Sequence, residues 1–260
     1  MSMRSAARPS WMRASFHVAA LVALIPAGLK AWSCEEAQQP GEPLVYSTGI
    51  GELRRVVLGQ HTVANLNTRT FVSVRLTSHA CDIQLKSGEA LFEIRRNDAH
   101  TVYVTAGSVR MDSNAAAFSV RLHDNEHVDV LVRKGDVTLT SMRKDVTLTA
   151  NEKARIAPHG VALERLDEAE MQRRLQWTTG YLSFSGETLE EVVAEFNRYN
   201  EQRLVVEDRA IRNLRIGGNY QSTDPEGFVA ALRPMGVERA DSDPVDTSPR
   251  LIRLVGAQTH

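Results

Sequence analysis

The chain has 260 residues, of which 31 are basic, 32 are acidic and 42% are hydrophobic. This length allows one large or two small domains, and the hydrophobic content is that of a folded protein. The net charge of −1 provides no field that would attract a polyanion, so we expect no nucleic-acid partner. The two cysteines, Cys34 and Cys81, are too few for a structural zinc site, and a disulfide between them is one open alternative.

The amino terminus combines a basic start with an apolar run. Residues 1–13 include three arginines and no acid, and residues 14–32 are mostly apolar, interrupted by His17, Pro26 and Lys30. As a helix this run would be about 28 Å long, close to the roughly 30 Å of the hydrocarbon layer. We therefore expect a transmembrane anchor with a short cytoplasmic tail before it and the rest of the chain exported. A cleaved signal segment is the alternative.

A polar linker and a long strand-like region follow the apolar run. Residues 33–44 contain two prolines and a glycine among polar residues, which is typical of a flexible linker. Residues 45–165 consist of short alternating runs broken by Gly, Asn or Asp, and in VDVLVRKG the three valines share one face. This pattern predicts an all-β sandwich, barrel or solenoid-like stack. Around Gly88 it predicts two separate strands, CDIQLKSG and EALFEIRR, joined by a turn.

The carboxy-terminal part has a different periodicity. Residues 166–177, LDEAEMQRRLQW, predict a short connecting helix. Beyond it the order of patterns is β-α-β-β-α-β-β over residues 178–256, which predicts a small α+β domain with its helices on one face of a sheet. The first helix is expected to begin at a capping box formed by Thr188 and Glu191, and the second at Asp224-Pro225. The predicted fold class is therefore mainly β with a small α+β domain.

Four stretches of the chain contain motifs in a specific order: GELRRVVLGQHTVANLN, KSGEALFEI, VRKGDVTL and WTTGYLSFSGETLEEVVAEFNRYN. In these motifs and in their order, the chain resembles the FecR-like iron-transport regulators. The carboxy-terminal part is also similar to the secretin/TonB short domain. The residues to which the resemblance assigns structural roles are Gly51, Glu52, Gly88, Glu89, Phe92, Trp177, Gly180 and Phe184.

The resemblance implies a function in cell-surface signalling. Members of the family are periplasmic sensors that cross the inner membrane once and are engaged by the signalling domain of a siderophore-loaded, TonB-dependent outer-membrane receptor. They also carry a cytoplasmic segment that binds a sigma factor. Because residues 1–13 are too few to bury a core, we expect that contact to need residues upstream of this start or a separate protein, unless the chain is a reduced paralogue.

We predict the partner-binding surface in the carboxy-terminal part. Asn197-Arg198-Tyr199 ends its first helix, and Leu214-Arg215-Ile216 opens a strand whose arginine would guard an exposed sheet edge. An uncovered edge accepts a strand from a partner through main-chain hydrogen bonds. The alternative for Asn197-Arg198-Tyr199 is a structural role, with Tyr199 continuing the apolar stripe of the helix.

One short motif resembles a metal site. His123-Asp124-Asn125-Glu126-His127 matches the His-x-x-Glu-His pattern of some metalloproteases, which requires a helix. Strand patterns flank it, so we predict a polar turn, with no metal and no cofactor. No pattern of nucleophile, base and orienting acid is recognisable, and we expect a protein that acts by contact and not an enzyme. A structural or assembly module of an envelope export machine is the alternative.

Overall fold

The computed structural model describes residues 42–59, 61–77, 80–95, 101–141, 145–240 and 251–257. The predicted segments 1–13 and 14–32, with Cys34 and most of the linker over 33–44, lie outside the described residues. Within the described ranges, no helix has both the length and the apolar character needed to span a membrane.

The first part of the described chain consists of strands built on the alternating apolar runs. They form one mixed sheet whose main path has the order β11-β10-β7-β6-β5-β8-β9-β12-β13, while β3 and β4 also pair with β5 and are themselves flanked by β2 and β1. The strands are β1 (Leu44–Ser47), β2 (Arg54–Val57), β3 (Thr62–Leu66), β4 (Phe71–Leu76), β5 (Ala80–Ile94), β6 (Thr101–Ala106), β7 (Val109–Ser113), β8 (Ala116–Leu122), β9 (Val128–Gly135), β10 (Val137–Thr140), β11 (Asp145–Leu148), β12 (Glu152–Ala157) and β13 (Gly160–Arg165).

Strand β5 links two halves of this sheet. Its first half pairs with β4 and β6, and its second half, from Gly88 onward, pairs with β3 and β8. A bulge in β5 at Lys86, opposite Phe71 and Val72 of β4, and the positive φ of 86° at Gly88 interrupt the regular ladder where the halves meet. The prediction of two strands with a turn at Gly88 was therefore wrong, because a glycine with this φ lets one 15-residue strand change direction without ending.

The two halves enclose one hydrophobic core. Side chains such as Val74 and Met111 from the first half belong to the same buried cluster as Phe118 and Val130 from the second half. The rings of Phe92 and Phe118 lie 5.7 Å apart within it. The result is a curled mixed sheet around its own core, and the predicted mainly β class is confirmed.

The connection to the carboxy-terminal part is shorter and more divided than the helix predicted over 166–177. Helix α1 spans Glu168–Arg174, and a 3-10 helix spans Gln176–Thr179. The Asp167 side chain accepts a hydrogen bond from the backbone N–H of Glu170 at 2.7 Å, which fixes the helix start after Asp167. The apolar pattern identified this segment but not its bounds.

The carboxy-terminal part has the predicted order of elements and both predicted helix starts. Its strands form two sheets, an antiparallel β14-β16 pair and a three-stranded β15-β18-β17 sheet, so the prediction of a single sheet was wrong. Periodicity identifies the buried face of a strand but not the strand that pairs with it. The elements are β14 (Tyr181–Thr188), α2 (Leu189–Tyr199), β15 (Arg203–Val206), β16 (Arg215–Gln221), α3 (Pro225–Leu232), β17 (Val237–Arg239) and β18 (Leu251–Gly256).

The carboxy-terminal part packs on the outer face of the second half of the β sheet. Leu91 of β5 and Leu131 of β9 belong to the hydrophobic cluster of the carboxy-terminal part, whereas their neighbours in sequence point into the β core. The described residues accordingly lie in one compact unit. The domain boundary near residue 178 stays a prediction.

Candidate functional site

Helix α2 is fixed at its start by the predicted capping box. The Thr188 hydroxyl accepts a hydrogen bond from the backbone N–H of Glu191 at 3.3 Å, and the Glu191 carboxylate accepts one from the backbone N–H of Thr188 at 2.8 Å. The apolar stripe of the helix is buried. Since residues three apart on a helix are neighbours, Glu195 and Arg198 lie side by side next to that stripe.

Strand β5 presents an acidic residue to this helix. Successive side chains of a strand point to opposite faces, so Ala90 and Phe92 are fully buried in the β core while Glu89 and Leu91 lie on the other face. The carboxy-terminal part covers that face, which leaves Glu89 only 7% exposed. A carboxylate buried to this extent needs partners.

Four charged side chains form a row that we call the junction. Two come from the β part, which comprises β1 to β13 over residues 44–165, and two come from α2. Arg198 Nη2 donates to Glu89 Oε2 at 3.0 Å, and Arg121 Nη1 of β8 donates to Glu195 Oε2 at 3.0 Å. Arg198 Nη1 also donates to Glu195 Oε1, so positive and negative groups alternate along the row. The side chains are between 9% and 28% exposed, and solvent therefore screens them less than it screens a surface pair.

The electrostatics of the junction favour the charged forms. Burial alone would raise the pKa of Glu195, but the guanidinium groups of Arg198 and Arg121 outweigh burial and hold that pKa below its ordinary value. Burial alone would lower the pKa of Arg198, but the carboxylates of Glu195 and Glu89 outweigh it and raise that pKa. Both groups are consequently charged at neutral pH.

A buried amide continues the network into the β part. Asn67 is fully buried and its Nδ2 donates both to the phenolic oxygen of Tyr199 at 2.8 Å and to Glu89 Oε2 at 2.9 Å. Burial raises the pKa of the Tyr199 phenol, and the carboxylates of Glu89 and Glu195 raise it further. Tyr199 therefore stays neutral and acts as a fixed hydrogen-bonding group.

Two glycines of the predicted motifs lie where no side chain fits. Gly51 has a φ of 72°, and a Cβ there would lie 2.8 Å from the carbonyl oxygen of Tyr199 at the end of α2. Gly88 has a φ of 86°, and a Cβ there would lie 2.4 Å from Thr70 Oγ1. The Gly51 N–H donates to Thr68 Oγ1 at 2.9 Å. Glycine at position 51 thus allows the first turn of the β part to approach the end of α2.

The other motif residues occupy local positions away from the row of charges. The Glu52 carboxylate accepts a hydrogen bond from a backbone N–H of its own turn at 2.8 Å, and Phe92 lies in the β core. Trp177 is 4% exposed within the carboxy-terminal cluster, and Gly180, with a φ of 86°, ends the 3-10 helix. Phe184 packs against two other aromatic rings at 6.2 and 6.3 Å.

The remaining residues predicted to bind a partner have different environments. The Asn197 side chain is bonded to both backbone groups of Leu204, at 2.8 and 2.9 Å. Ile216 is fully buried and Leu214 is partly buried against the same cluster. Arg215 is exposed and donates to a backbone carbonyl of β14 at 2.9 Å. The assignment of these residues to a partner surface stays a prediction.

The His123–His127 segment forms a hairpin turn whose two histidines contact different carboxylates. His127 Nδ1 lies 2.8 Å from Asp124 Oδ2, and His123 Nε2 lies 3.4 Å from Asp129 Oδ2. Burial opposes the ionisation of Asp129, but the hydrogen bond to His123 and the nearby positive groups of His123, Arg155 and Lys153 together outweigh burial and hold the Asp129 pKa below its ordinary value. Among the described residues, no three His, Cys, Asp or Glu side chains are grouped as metal ligands.

Sequence reasoning missed Arg121 and Glu195. Both belong to patterns that the sequence does show, since Arg121 alternates with core residues of β8 and Glu195 lies three residues before Arg198. Their pairing joins positions 74 residues apart, and neither periodicity nor motif spacing reports such a contact.

Comparison with known proteins concerns both the β part and the carboxy-terminal part. Residues 45–138 match the family model described as FecR protein. Two crystal structures, each described as a candidate anti-sigma factor from Parabacteroides distasonis ATCC 8503, have a similar fold, with TM-scores of 0.66 and 0.65 at 22% and 21% identity. Each alignment covers 83% of this chain and 100% of the other chain. No curated protein matches the sequence.

The fold and the junction define a mainly β protein whose carboxy-terminal α+β part is docked on the β part by a partly buried row of charges. Residues 45–138 of that β part match the FecR family model, and the resemblance to the FecR-like regulators is confirmed over those residues. The similarity of residues 178–256 to the secretin/TonB short domain stays a prediction, because the family match ends before them.

Proposed function

We propose that the protein is a FecR-type sensor in the cell-surface signalling that controls iron (siderophore) uptake. In this proposal the apolar run over 14–32 anchors the chain in the inner membrane by a single pass and the described residues lie in the periplasm. The carboxy-terminal part binds the signalling domain of a TonB-dependent outer-membrane receptor. The observation that carries the proposal is the match to the FecR family model over residues 45–138.

The second step of the proposed relay leads toward an extracytoplasmic-function sigma factor. The similar fold of the candidate anti-sigma factors from Parabacteroides distasonis supports this direction. The junction supplies a physical route, since the ion pair between Arg198 and Glu89 couples a displacement of α2 to the β part. A rigid, charge-paired contact transmits such a displacement better than a flexible linker does. The proposed relay needs no catalytic step.

A sheet edge supports binding of the receptor by strand addition. Among the described residues, β16 pairs only with β14, and we propose that a strand from a partner adds to its other edge. Arg215 lies exposed at the start of this strand, where it would contact an acidic group on the incoming chain. Ile216, which is buried on the opposite face, would hold β16 itself in place.

Binding of the full-length protein to a purified receptor signalling domain tests the proposal. We expect binding measurable by calorimetry, and we expect Arg215→Ala to weaken it by about tenfold through loss of one charge-assisted contact. Arg233→Ala is the matched control, because Arg233 is also exposed but belongs to a 3-10 helix and not to β16.

Two outcomes would count against this function. Absence of binding to the signalling domains of all the receptors tested from the same organism would contradict the receptor contact. Binding to a secretin component instead would favour the alternative of a module in an envelope export machine.

A further inference from the structure

A cleft of about 280 Å³ opens beside the junction, between the β part and α2. Five of its lining residues are basic or can become so: Arg69, Arg121, His123, Arg198 and Arg203. They come from both parts of the molecule, from the turn between β3 and β4, the end of β8, α2 and the start of β15. Among the described residues that line the cleft, none is acidic.

Arg69 and Arg203 are not neutralised by the junction. Arg121 and Arg198 are paired with Glu195 and Glu89 behind the cleft, as described above. Within the described part of the chain, neither Arg69 nor Arg203 has a carboxylate partner, and the one hydrogen bond found for the Arg203 side chain, of 3.0 Å, goes to the backbone oxygen of Asn197. The cleft therefore has an excess of positive charge and unused guanidinium donors.

The position of Arg69 is conformationally costly. Its φ is 51°, in the left-handed region that costs a non-glycine residue about 1–2 kcal/mol. A hydrogen bond of 3.0 Å from its backbone N–H to the Gly49 carbonyl holds the turn. Glycine or asparagine would adopt this conformation at lower cost, so an arginine here places a cation at the cleft at the expense of stability.

We propose that this cleft is a binding site for a small oxyanion, a carboxylate or a phosphate, held by Arg69 and Arg203. The planar fork of a guanidinium group matches both anions through two parallel hydrogen bonds. The volume is below that of most pockets for drug-sized ligands, which limits the ligand to a small anion. Because Arg69 belongs to the β part and Arg203 to the carboxy-terminal part, the anion bridges the two parts and stabilises their contact.

Thermal unfolding and titration calorimetry of the full-length protein test this site, with inorganic phosphate and succinate as separate probes. Sodium chloride at matched ionic strength controls for general salt effects. We expect at least one of the two anions to raise the melting temperature saturably with concentration, as ligand binding to the native state requires. Arg69→Asn should weaken binding of that anion by at least about tenfold. Without the anion, the melting temperature of this variant should be unchanged or higher.

Two further variants make the result specific. Arg203→Gln, on the other side of the cleft, should also weaken binding of that anion. This variant tests the site even if Arg69→Asn alters the turn. Arg209→Asn removes an exposed arginine that does not line the cleft and should bind as the unchanged protein does. An effect of phosphate alone identifies a phosphoryl ligand, an effect of succinate alone a carboxylate, and an effect of both a general oxyanion site.

The proposal is overturned if neither anion acts beyond sodium chloride. It is also overturned if Arg69→Asn and Arg203→Gln respond to the anion as Arg209→Asn does. The receptor plays no part in these measurements, so their outcome is independent of the proposed signalling function.

Discussion

Asn67 satisfies its buried side-chain amide with groups from both parts of the molecule. Its Nδ2 bonds Glu89 and Tyr199, and its Oδ1 accepts from the backbone N–H of Thr68 at 2.7 Å. A buried polar group costs free energy unless it is paired, so the amide favours the docked arrangement over any in which Tyr199 is withdrawn. Specificity at this contact therefore comes from hydrogen-bond geometry as well as from charge.

Tyr199→Phe tests this hydrogen bond at the level of one atom. The variant keeps the buried ring and removes the phenolic oxygen that Asn67 contacts at 2.8 Å. We expect the free energy of unfolding to fall by about 1 kcal/mol, seen as a lower denaturant midpoint with an unchanged slope. Tyr181→Phe, at an exposed tyrosine of β14, should leave the midpoint in place. Equal midpoints for the two variants would show that the bond contributes nothing.

The lowered pKa of Glu195 predicts that the folded protein loses stability as the pH becomes acidic. Its pKa is lower in the folded protein than the ordinary value of 4.5, so the unfolded chain binds more protons as the pH falls through that value. The stabilisation is complete above the ordinary pKa and is lost as the pH falls toward the folded one.

Glu195→Gln should therefore lower stability at pH 7 and reduce its loss between neutral pH and the lowered pKa, as measured by denaturant unfolding at several pH values. Glu226→Gln, which removes an exposed carboxylate on α3, controls for the change in net charge. A Glu195→Gln protein whose stability falls with acid as steeply as the unchanged protein would refute the assignment.

The elements that meet at the junction are a turn and a helix end. The turn before β2 contains Gly51, and the carbonyl oxygen of Tyr199 closes against it. The capping box at Thr188 fixes the start of α2, so the position of its last turn is set from both ends. A change in the conformation of the turn at Gly51 should therefore displace the end of α2.

Gly51→Ala tests this contact between elements. The alanine would adopt an unfavourable positive φ and place its Cβ 2.8 Å from the Tyr199 oxygen, so we expect a loss of at least about 1–2 kcal/mol in the free energy of unfolding. Gly49→Ala, two residues earlier, is the matched control, because the nearest atom to its Cβ would be Glu52 Oε2 at 3.7 Å. Equal stability of the two variants would exclude the close approach.

On the scale of the whole molecule, the sequence predicted the elements better than their assembly. The capping box at Thr188, the helix start at Asp224 and the β-α-β-β-α-β-β order follow from local side-chain chemistry. The continuity of β5 through Gly88 was missed because glycine marks a bend as well as a turn. The separation of the carboxy-terminal strands into two sheets was missed because strand pairing depends on contacts distant in sequence.

The candidate site shows the same limit. The sequence motifs identified the residues of the candidate site only as separate features: Gly51, Gly88, Glu89 and the helix end Asn197-Arg198-Tyr199. The structure brings Gly51 and Glu89 to the end of α2 at the junction. Their meeting depends on the outer face of β5 being covered, which alternation in sequence leaves undetermined.

A double-mutant cycle on Glu89 and Arg198 tests most directly whether the junction joins the β part to the carboxy-terminal part. The variants are Glu89→Gln, Arg198→Met and the pair together, each measured by denaturant unfolding of the full-length protein. The matched cycle is Glu226→Gln with Arg239→Met, on an exposed ion pair of 3.3 Å.

The docked arrangement predicts a coupling energy of about 1–3 kcal/mol between Glu89 and Arg198, above the value of less than about 1 kcal/mol expected for the exposed pair. A coupling energy at Glu89 and Arg198 no larger than that of the exposed pair would contradict it.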